Sequence, residues 1–142
     1  MAEREYLSGV AGKLRPPQPP GLRILVIEDY LDLAETLQRF LTLAGHQVSV
    51  AHSGPAGVSA ARQLRPDVVL CDLGLPGLDG FSVARLLRND ARTSQTRLIA
   101  MSGYGSEEDQ QRCIDAGYEL HLTKPVDPEQ LEQILAGGPS IR

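Results

Sequence analysis

The chain has 142 residues, of which 42% are hydrophobic and 23% are charged, and its formal net charge is −4 at pH 7. These values are typical of a single globular domain, and no apolar run approaches the roughly 20 residues needed to cross a bilayer. The acidic balance disfavours direct nucleic-acid binding, which requires cations to neutralise phosphates. Because the N-terminus lacks a basic start followed by an apolar stretch, the sequence predicts a cytoplasmic location without membrane insertion.

The first 21 residues differ in composition from the rest of the chain. The stretch LRPPQPPG holds four prolines, which favour an extended polyproline-like conformation over a folded one. We therefore expect residues 1–21 to form a flexible tail or linker, residues 22–136 to form one domain, and residues 137–142 to form a short C-terminal tail.

From Leu22 onward, short apolar runs alternate with segments of helical periodicity. LRILVI predicts a first strand, and LDLAETLQRFLTLAG predicts a first helix that ends at Gly45. HQVSVA predicts the second strand. Ser53 and Pro55 then suit the N-cap and first turn of a second helix, and Pro66 prevents that helix from continuing. PDVVLC predicts the third strand.

The second half of the chain continues this alternation. Asp79 suits the N-cap of a third helix over DGFSVARLLRND, in which we expect Val83, Leu86 and Leu87 to face inward. TRLIAMS predicts the fourth strand, and GSEEDQQRCIDAG predicts a fourth helix that begins after Ser106. YELHL and DPEQLEQIL predict the last strand and helix. Five alternating pairs indicate an α/β fold, with a parallel sheet covered by helices on both faces.

Polar side chains follow the strands at one edge of this predicted sheet. The first strand is followed by Glu28 and Asp29, the third by Asp72, the fourth ends in Ser102 and the fifth leads to Lys124. Each alone has a structural explanation, since acids commonly cap helices and order turns. Functional groups of open α/β sheets gather beyond the carboxyl ends of the strands, so their joint placement favours a site.

The chemistry of these side chains agrees with their placement. Three clustered carboxylates repel one another unless a cation joins them, and oxygen ligands suit Mg²⁺. A carboxylate can attack a phosphoryl group to form an aspartyl phosphate. Lys124 and Ser102 would then supply a positive charge and a hydrogen-bond donor to the phosphoryl oxygens.

Four motifs give the sequence a specific resemblance. LVIEDY, VVLCDLGLPGLDG, LIAMSGYG and HLTKPV occur in the order and spacing found in receiver domains of two-component response regulators, the CheY-like family. The resemblance covers about residues 22–136. It implies a flavodoxin-like (βα)5 doubly wound fold, with a five-stranded parallel sheet in the order 2-1-3-4-5.

The resemblance also implies a role for each acid. Glu28 and Asp29 would be the acidic pair that holds Mg²⁺, and Asp72 would be the phosphoacceptor and a further metal ligand. The backbone carbonyl of Gly74 would complete the protein's contribution to the metal.

On the other side of the site, the resemblance implies that Ser102 hydrogen-bonds the phosphoryl group and that Lys124 pairs with it. The Lys124–Pro125 peptide bond is usually cis in this family. His121 departs from the pattern, because receivers usually carry a switching tyrosine or phenylalanine there. An imidazole at this position could act as the switch together with Ser102, and it would add sensitivity to pH.

The predicted function is a phosphorelay receiver and not an enzyme, since it catalyses only its own phosphorylation and dephosphorylation. Asp72 would accept a phosphoryl group from a histidine kinase or a histidine phosphotransfer protein, and the domain would change the face that a downstream protein reads. SGYG and HLTKPVDP resemble receivers of hybrid sensor kinases, which leaves open whether the domain stands alone or belongs to a hybrid kinase.

Two alternatives remain. A Mg²⁺-dependent phosphatase with an aspartyl-phosphate intermediate would use similar chemistry, but the DxD motif such enzymes carry after the first strand is missing here. A protein-interaction module that is never phosphorylated would not need the acidic pair and the lysine, which this sequence retains.

Overall fold

The computed structural model describes residues 21–103 and 105–137, so nearly all of the predicted tails, residues 1–21 and 137–142, lies outside the described residues. Within them, five strands alternate with five helices. The elements are β1 Arg23–Ile27, α1 Leu31–Leu43, β2 Gln47–Ala51, α2 Gly54–Leu64, β3 Val68–Asp72, α3 Gly80–Arg88, β4 Arg97–Ser102, α4 Glu107–Ala116, β5 Leu120–Thr123 and α5 Pro128–Ala136. No helix in the described ranges has the length and apolar character needed to span a membrane.

The strands form one parallel sheet in the order β2-β1-β3-β4-β5. Ile24 of β1 lies opposite Val48 on one side and Val68 on the other, and Val69 of β3 lies opposite Leu98. The strand order reverses between β1 and β3, and such a reversal opens a crevice at the carboxyl ends of the strands. The predicted flavodoxin-like fold is confirmed.

Alternating side chains of the strands supply two separate apolar layers, because successive residues point to opposite faces. All five residues of β3 are buried, as expected for a central parallel strand covered on both faces. The layer under α2, α3 and α4 includes Leu25, Ile27, Val58, Ala61, Val69, Cys71, Val83, Leu87, Leu98 and Cys113. The layer under α1 and α5 includes Ile24, Val26, Leu37, Leu41, Val68, Leu70, Ile99, Met101, Leu122, Leu131 and Leu135.

The predicted helix starts are largely confirmed. Ser53, Asp79 and Ser106 each accept a hydrogen bond from the backbone N–H three residues further on, which satisfies a donor that the helix leaves unpaired. The first helix differs, because its N-cap is Tyr30 and no side chain caps it. The prediction for Leu86 was wrong: its side chain is 40% exposed, because it falls outside the helical stripe of buried residues on α3.

A buried hydrogen bond joins the start of α3 to the connection between α4 and β5. The Tyr118 hydroxyl donates to the carbonyl oxygen of Gly80 at 2.7 Å. A side chain at position 80 would meet the Asp72 carbonyl oxygen at 2.6 Å, so the glycine allows α3 to begin directly against the end of β3. The Tyr118 bond therefore supports the backbone that surrounds Asp72.

Replacing Tyr118 with phenylalanine tests this bond. We expect Tyr118→Phe to lower the free energy of unfolding by about 1–3 kcal/mol, because the Gly80 carbonyl loses its buried donor. Urea unfolding measures this change, and Tyr30→Phe is the matched control because Tyr30 is 63% exposed. The control should change stability by less than about 0.5 kcal/mol. Equal effects of the two substitutions would contradict the assignment.

Candidate functional site

The register of the sheet places the predicted site residues at one level. Ile27 pairs with Cys71, so Glu28 and Asp72 follow at the same height on the two adjacent strands β1 and β3. Asp72 is itself the last residue of β3, one residue beyond the predicted end, and pairs with Met101. Ser102 pairs with Thr123, so Lys124 follows directly at the end of β5.

Lys124 is the cation that joins the two buried acids. Its Nζ lies 2.8 Å from Oε1 of Glu28 and 3.3 Å from Oδ1 of Asp72. Glu28 is fully buried, Asp72 is 7% exposed, and the lysine side chain retains 26% exposure. The ammonium therefore stands at the mouth of the crevice, with both carboxylates beneath it. The peptide bond from Lys124 to Pro125 is cis, as the resemblance implied.

The buried carboxylate of Glu28 is held in an unfavourable environment. Burial raises the pKa of Glu28 above its ordinary value of 4.5, while hydrogen bonds from Lys124 and from the backbone N–H of Tyr30 oppose the shift. For Lys124, burial alone would lower the pKa, but Glu28 and Asp72 hold it above the ordinary 10.5. The ion pair thus keeps the ammonium charged and partly offsets the cost of burying the carboxylate.

Asp29 completes a group of three acids. One carboxylate oxygen from each of Glu28, Asp29 and Asp72 lies within 4.8 Å of the others, and Asp29 is exposed. Three carboxylates with one ammonium leave excess negative charge in a set of oxygen ligands. That donor set fits Mg²⁺, a hard cation that binds through a few carboxylates and keeps several waters.

The loop after β3 leaves the space above Asp72 open. The Gly74 N–H donates to Oδ1 of Asp72 at 3.2 Å, and a side chain at position 74 would have Oδ1 of Asp72 as its nearest neighbour, at 3.8 Å. Both contacts to the Asp72 carboxylate, from Lys124 and from Gly74, therefore fall on Oδ1. Within the described residues, no hydrogen bond falls on Oδ2.

Ser102 and His121 form a contact beside the acids. The Ser102 Oγ is buried and lies 2.6 Å from Nε2 of His121. The other ring nitrogen, Nδ1, is buried and has no hydrogen-bond partner among the described residues. Burial lowers the pKa of His121 below its ordinary 6.5, with Asp109 opposing the shift. Because burial disfavours the charged imidazolium, the neutral ring is the favoured form.

His52 directly follows β2, and no sequence motif indicated a role for it. Its Nδ1 lies 3.0 Å from the backbone carbonyl oxygen of Glu28. That carbonyl belongs to the peptide group that joins Glu28 to Asp29. A second bond, from the Glu28 N–H to the Ala51 carbonyl at 3.0 Å, extends the pairing of β1 and β2 to this point. Only the adjacency of the two strands could have signalled this contact.

Comparison with known proteins identifies the family of this chain. The family model for the response regulator receiver domain matches residues 24–136. The chain belongs to this family. The receiver is 41% identical over 119 residues to the protein PilH of Pseudomonas aeruginosa, a match that covers 81% of this chain and 98% of PilH.

Longer proteins also match the receiver. It is 37% identical over 109 residues to the DNA-binding dual master transcriptional regulator RpaA of a Synechocystis species. This match covers 77% of the chain but only 45% of RpaA, so the receiver spans less than half the length of that relative.

Solved structures show the same architecture. The chemotaxis response regulator CheY4 of Vibrio cholerae superimposes with a TM-score of 0.78 at 25% identity, covering 82% of this chain and 98% of that one. The receiver domain of the sensor histidine kinase PA1611 of Pseudomonas aeruginosa gives a TM-score of 0.76 at 30% identity, covering 82% and 96%. That structure is described with a magnesium ion coordinated in its active site cleft.

The Lys124–Glu28 pair yields a stability prediction. We expect Lys124→Met to lower the free energy of unfolding at pH 7 by about 1–3 kcal/mol, because it leaves the buried Glu28 carboxylate without its cation. The double variant Glu28→Gln/Lys124→Met should recover most of this loss. Arg39→Met is the control, since it breaks an exposed pair with Glu35 that should contribute less than about 0.5 kcal/mol. Urea unfolding in the presence of a chelator measures all three.

The loss in Lys124→Met should also depend on pH. Removing the ammonium should raise the pKa of Glu28 in the folded state further above its ordinary value of 4.5. At a pH between 4.5 and this raised pKa, the folded state binds more protons than the unfolded state. Stability of the variant relative to wild type should therefore improve as the pH falls from 7 towards 4.5. A cost that stays constant across this range would contradict the assigned role of Glu28.

Proposed function

We propose that this receiver accepts a phosphoryl group on Oδ2 of Asp72 from the phosphohistidine of a histidine kinase or a histidine phosphotransfer protein. The observation that carries the proposal is the asymmetry of the Asp72 carboxylate. Lys124 and the Gly74 N–H both contact Oδ1, which leaves Oδ2 as the oxygen available for attack. In the step, Oδ2 forms a bond to phosphorus while the phosphorus–nitrogen bond of the donor breaks, and its electron pair returns to the donor imidazole.

The remaining side chains stabilise charge on the phosphoryl oxygens. Lys124 lies at the mouth of the crevice next to Asp72, and Ser102 follows the residue that pairs with Asp72. A Mg²⁺ held by Glu28, Asp29 and Asp72, with the Gly74 carbonyl as a further ligand, would neutralise part of the charge. The chain's own contribution is to hold these groups in place before the donor arrives.

The signal would leave the site through Ser102 and His121. In the structure, the Ser102 Oγ is engaged by Nε2 of His121 at 2.6 Å. A phosphoryl group on Asp72 competes for that hydroxyl, because a charged acceptor forms the stronger hydrogen bond. Once Ser102 turns towards the phosphoryl group, His121 loses its partner and can move outward. This changes the α4–β5 surface that a downstream protein would bind.

The phosphoacceptor is tested by incubation with acetyl phosphate and Mg²⁺, followed by intact-protein mass spectrometry. We expect the wild type to gain one phosphoryl group, and Asp72→Asn to gain none, because its amide is not a nucleophile. Asp32→Asn is the matched control, since Asp32 is an exposed acid in the first turn of α1, and it should react like wild type. Chelation of Mg²⁺ should suppress the reaction.

If Asp72→Asn is phosphorylated as readily as wild type, the assignment is wrong. The phosphatase alternative makes a different prediction, namely many turnovers of a small phosphate ester per protein molecule. A receiver should instead stop near one phosphoryl group transferred per chain until its aspartyl phosphate hydrolyses.

The switch is tested by following the imidazole of His121 by NMR during a pH titration. We expect its pKa to lie below 6.5 in the unphosphorylated protein and to rise towards 6.5 when excess acetyl phosphate maintains the phosphorylated form. The rise follows from the outward movement, which exposes Nδ1 to water. Ser102→Ala should produce part of the same rise without phosphate. A His121 pKa that is unchanged by both treatments would exclude its role as the switch.

A further inference from the structure

His52 contacts the backbone of the acidic pair but has no part in the proposed phosphoryl transfer. It is an exposed residue that directly follows β2, and its Nδ1 lies 3.0 Å from the carbonyl oxygen of Glu28. A carbonyl oxygen can only accept a hydrogen bond, so Nδ1 must carry a proton and donate it. In the neutral ring, the contact therefore selects the tautomer with its proton on Nδ1.

The imidazole acts as a donor at the point where the ladder between β1 and β2 ends. The last backbone bond between them runs from the Glu28 N–H to the Ala51 carbonyl at 3.0 Å. If the parallel ladder continued, the Ser53 N–H would be the next donor, to the Glu28 carbonyl. Ser53 is instead the N-cap of α2, and no backbone N–H in the described part of the chain bonds to that carbonyl. The His52 side chain supplies the donor.

Asp29 lies between two peptide groups that side chains hold. The peptide group before its Cα contains the Glu28 carbonyl, which His52 holds. The peptide group after its Cα contains the Tyr30 N–H, which donates to Oε2 of Glu28 at 3.1 Å. Each peptide group is planar, so holding both of them restrains φ and ψ of Asp29. The direction in which the Asp29 side chain leaves the backbone is thereby set.

The backbone has this importance because nothing else places the Asp29 carboxylate. Asp29 is exposed, and its carboxylate forms no hydrogen bond or ion pair among the residues that the structure describes. The other two acids differ, since Lys124 contacts both Glu28 and Asp72, and the Gly74 N–H also donates to Asp72. Of the three candidate metal ligands, Asp29 is the one whose position depends on the backbone alone.

We propose that His52 is a positioning residue for Mg²⁺ binding, which holds the Glu28–Asp29 peptide so that the Asp29 carboxylate stays close to the other two acids. A ligand that is already in place loses less conformational freedom when the cation binds, which strengthens binding. His52 does not itself contact the ion. The inference deepens the proposed function and rests on it, because it concerns the metal site formed by Glu28, Asp29 and Asp72.

The test is a Mg²⁺ titration of the full chain, followed by NMR through the amide resonances of residues 28–30 and 72–74. We expect His52→Leu, which removes the donor, to weaken Mg²⁺ binding about tenfold. His52→Asn is the conservative variant, because its amide nitrogen is bonded to Cγ, as Nδ1 is, and can donate to the same carbonyl. It should bind Mg²⁺ within about threefold of wild type.

Gln47→Leu is the matched control. Gln47 is also an exposed polar residue, at the opposite end of β2, and it receives the same substitution. This variant should bind Mg²⁺ as wild type does. Unchanged amide resonances of α3 and α5 in His52→Leu will show that the variant is folded.

A second measurement needs no metal. In a long-range ¹H–¹⁵N spectrum of wild type with His52 neutral, we expect the shift of a protonated nitrogen at Nδ1 and of an unprotonated one at Nε2. The opposite tautomer would overturn the inference, because no donor would then face the Glu28 carbonyl.

The titration separates failure of this inference from failure of the proposed function. If wild type and Gln47→Leu bind Mg²⁺ and His52→Leu binds it equally tightly, the role of His52 is wrong and the proposed function stands. Equal losses in His52→Asn and His52→Leu would also refute that role, since the retained donor would have no effect. If Mg²⁺ shifts none of these resonances in wild type, the metal site and the role of His52 are both wrong.

Discussion

The site depends on one interaction, the contact of the Lys124 ammonium with two carboxylates buried at the ends of neighbouring strands. Glu28 is fully buried and Asp72 nearly so, and two such anions side by side would repel each other without a cation between them. Lys124 comes from β5, on the far side of β4 from Asp72. Its side chain therefore joins three strands of the sheet through charge.

The hydrophobic layers make this concentration of charge possible. β3 is buried along its whole length, and its neighbours carry buried apolar side chains on both faces. Because the strands are parallel, all their carboxyl ends reach the same edge, where the apolar layers stop and polar groups can meet water. A site with the proposed function would need both conditions. Burial lowers the local dielectric and strengthens the electrostatic interactions of these groups, and the open side would admit a donor protein.

The Ser102–His121 contact is the proposed route by which the same edge would transmit a signal. A neutral imidazole with one ring nitrogen unpaired among the described residues is not a strongly held group. Its partner is the hydroxyl of Ser102, the residue that follows Met101, which pairs with Asp72. On the proposed function, a change in the charge of Asp72 would reach the surface at α4 and β5 through this hydroxyl and His121.

Local sequence patterns were sufficient to predict the element order, the layered fold, most of the helix caps and the set of residues at the strand ends. It could do so because apolar periodicity and capping are local properties that neighbouring residues specify. The three-dimensional structure was needed to show that Lys124 lies closer to Glu28 than to Asp72, that His52 contacts the Glu28 carbonyl and that Leu86 faces outward. Those outcomes depend on strand register and helix rotation, which are set by packing between segments far apart in the chain.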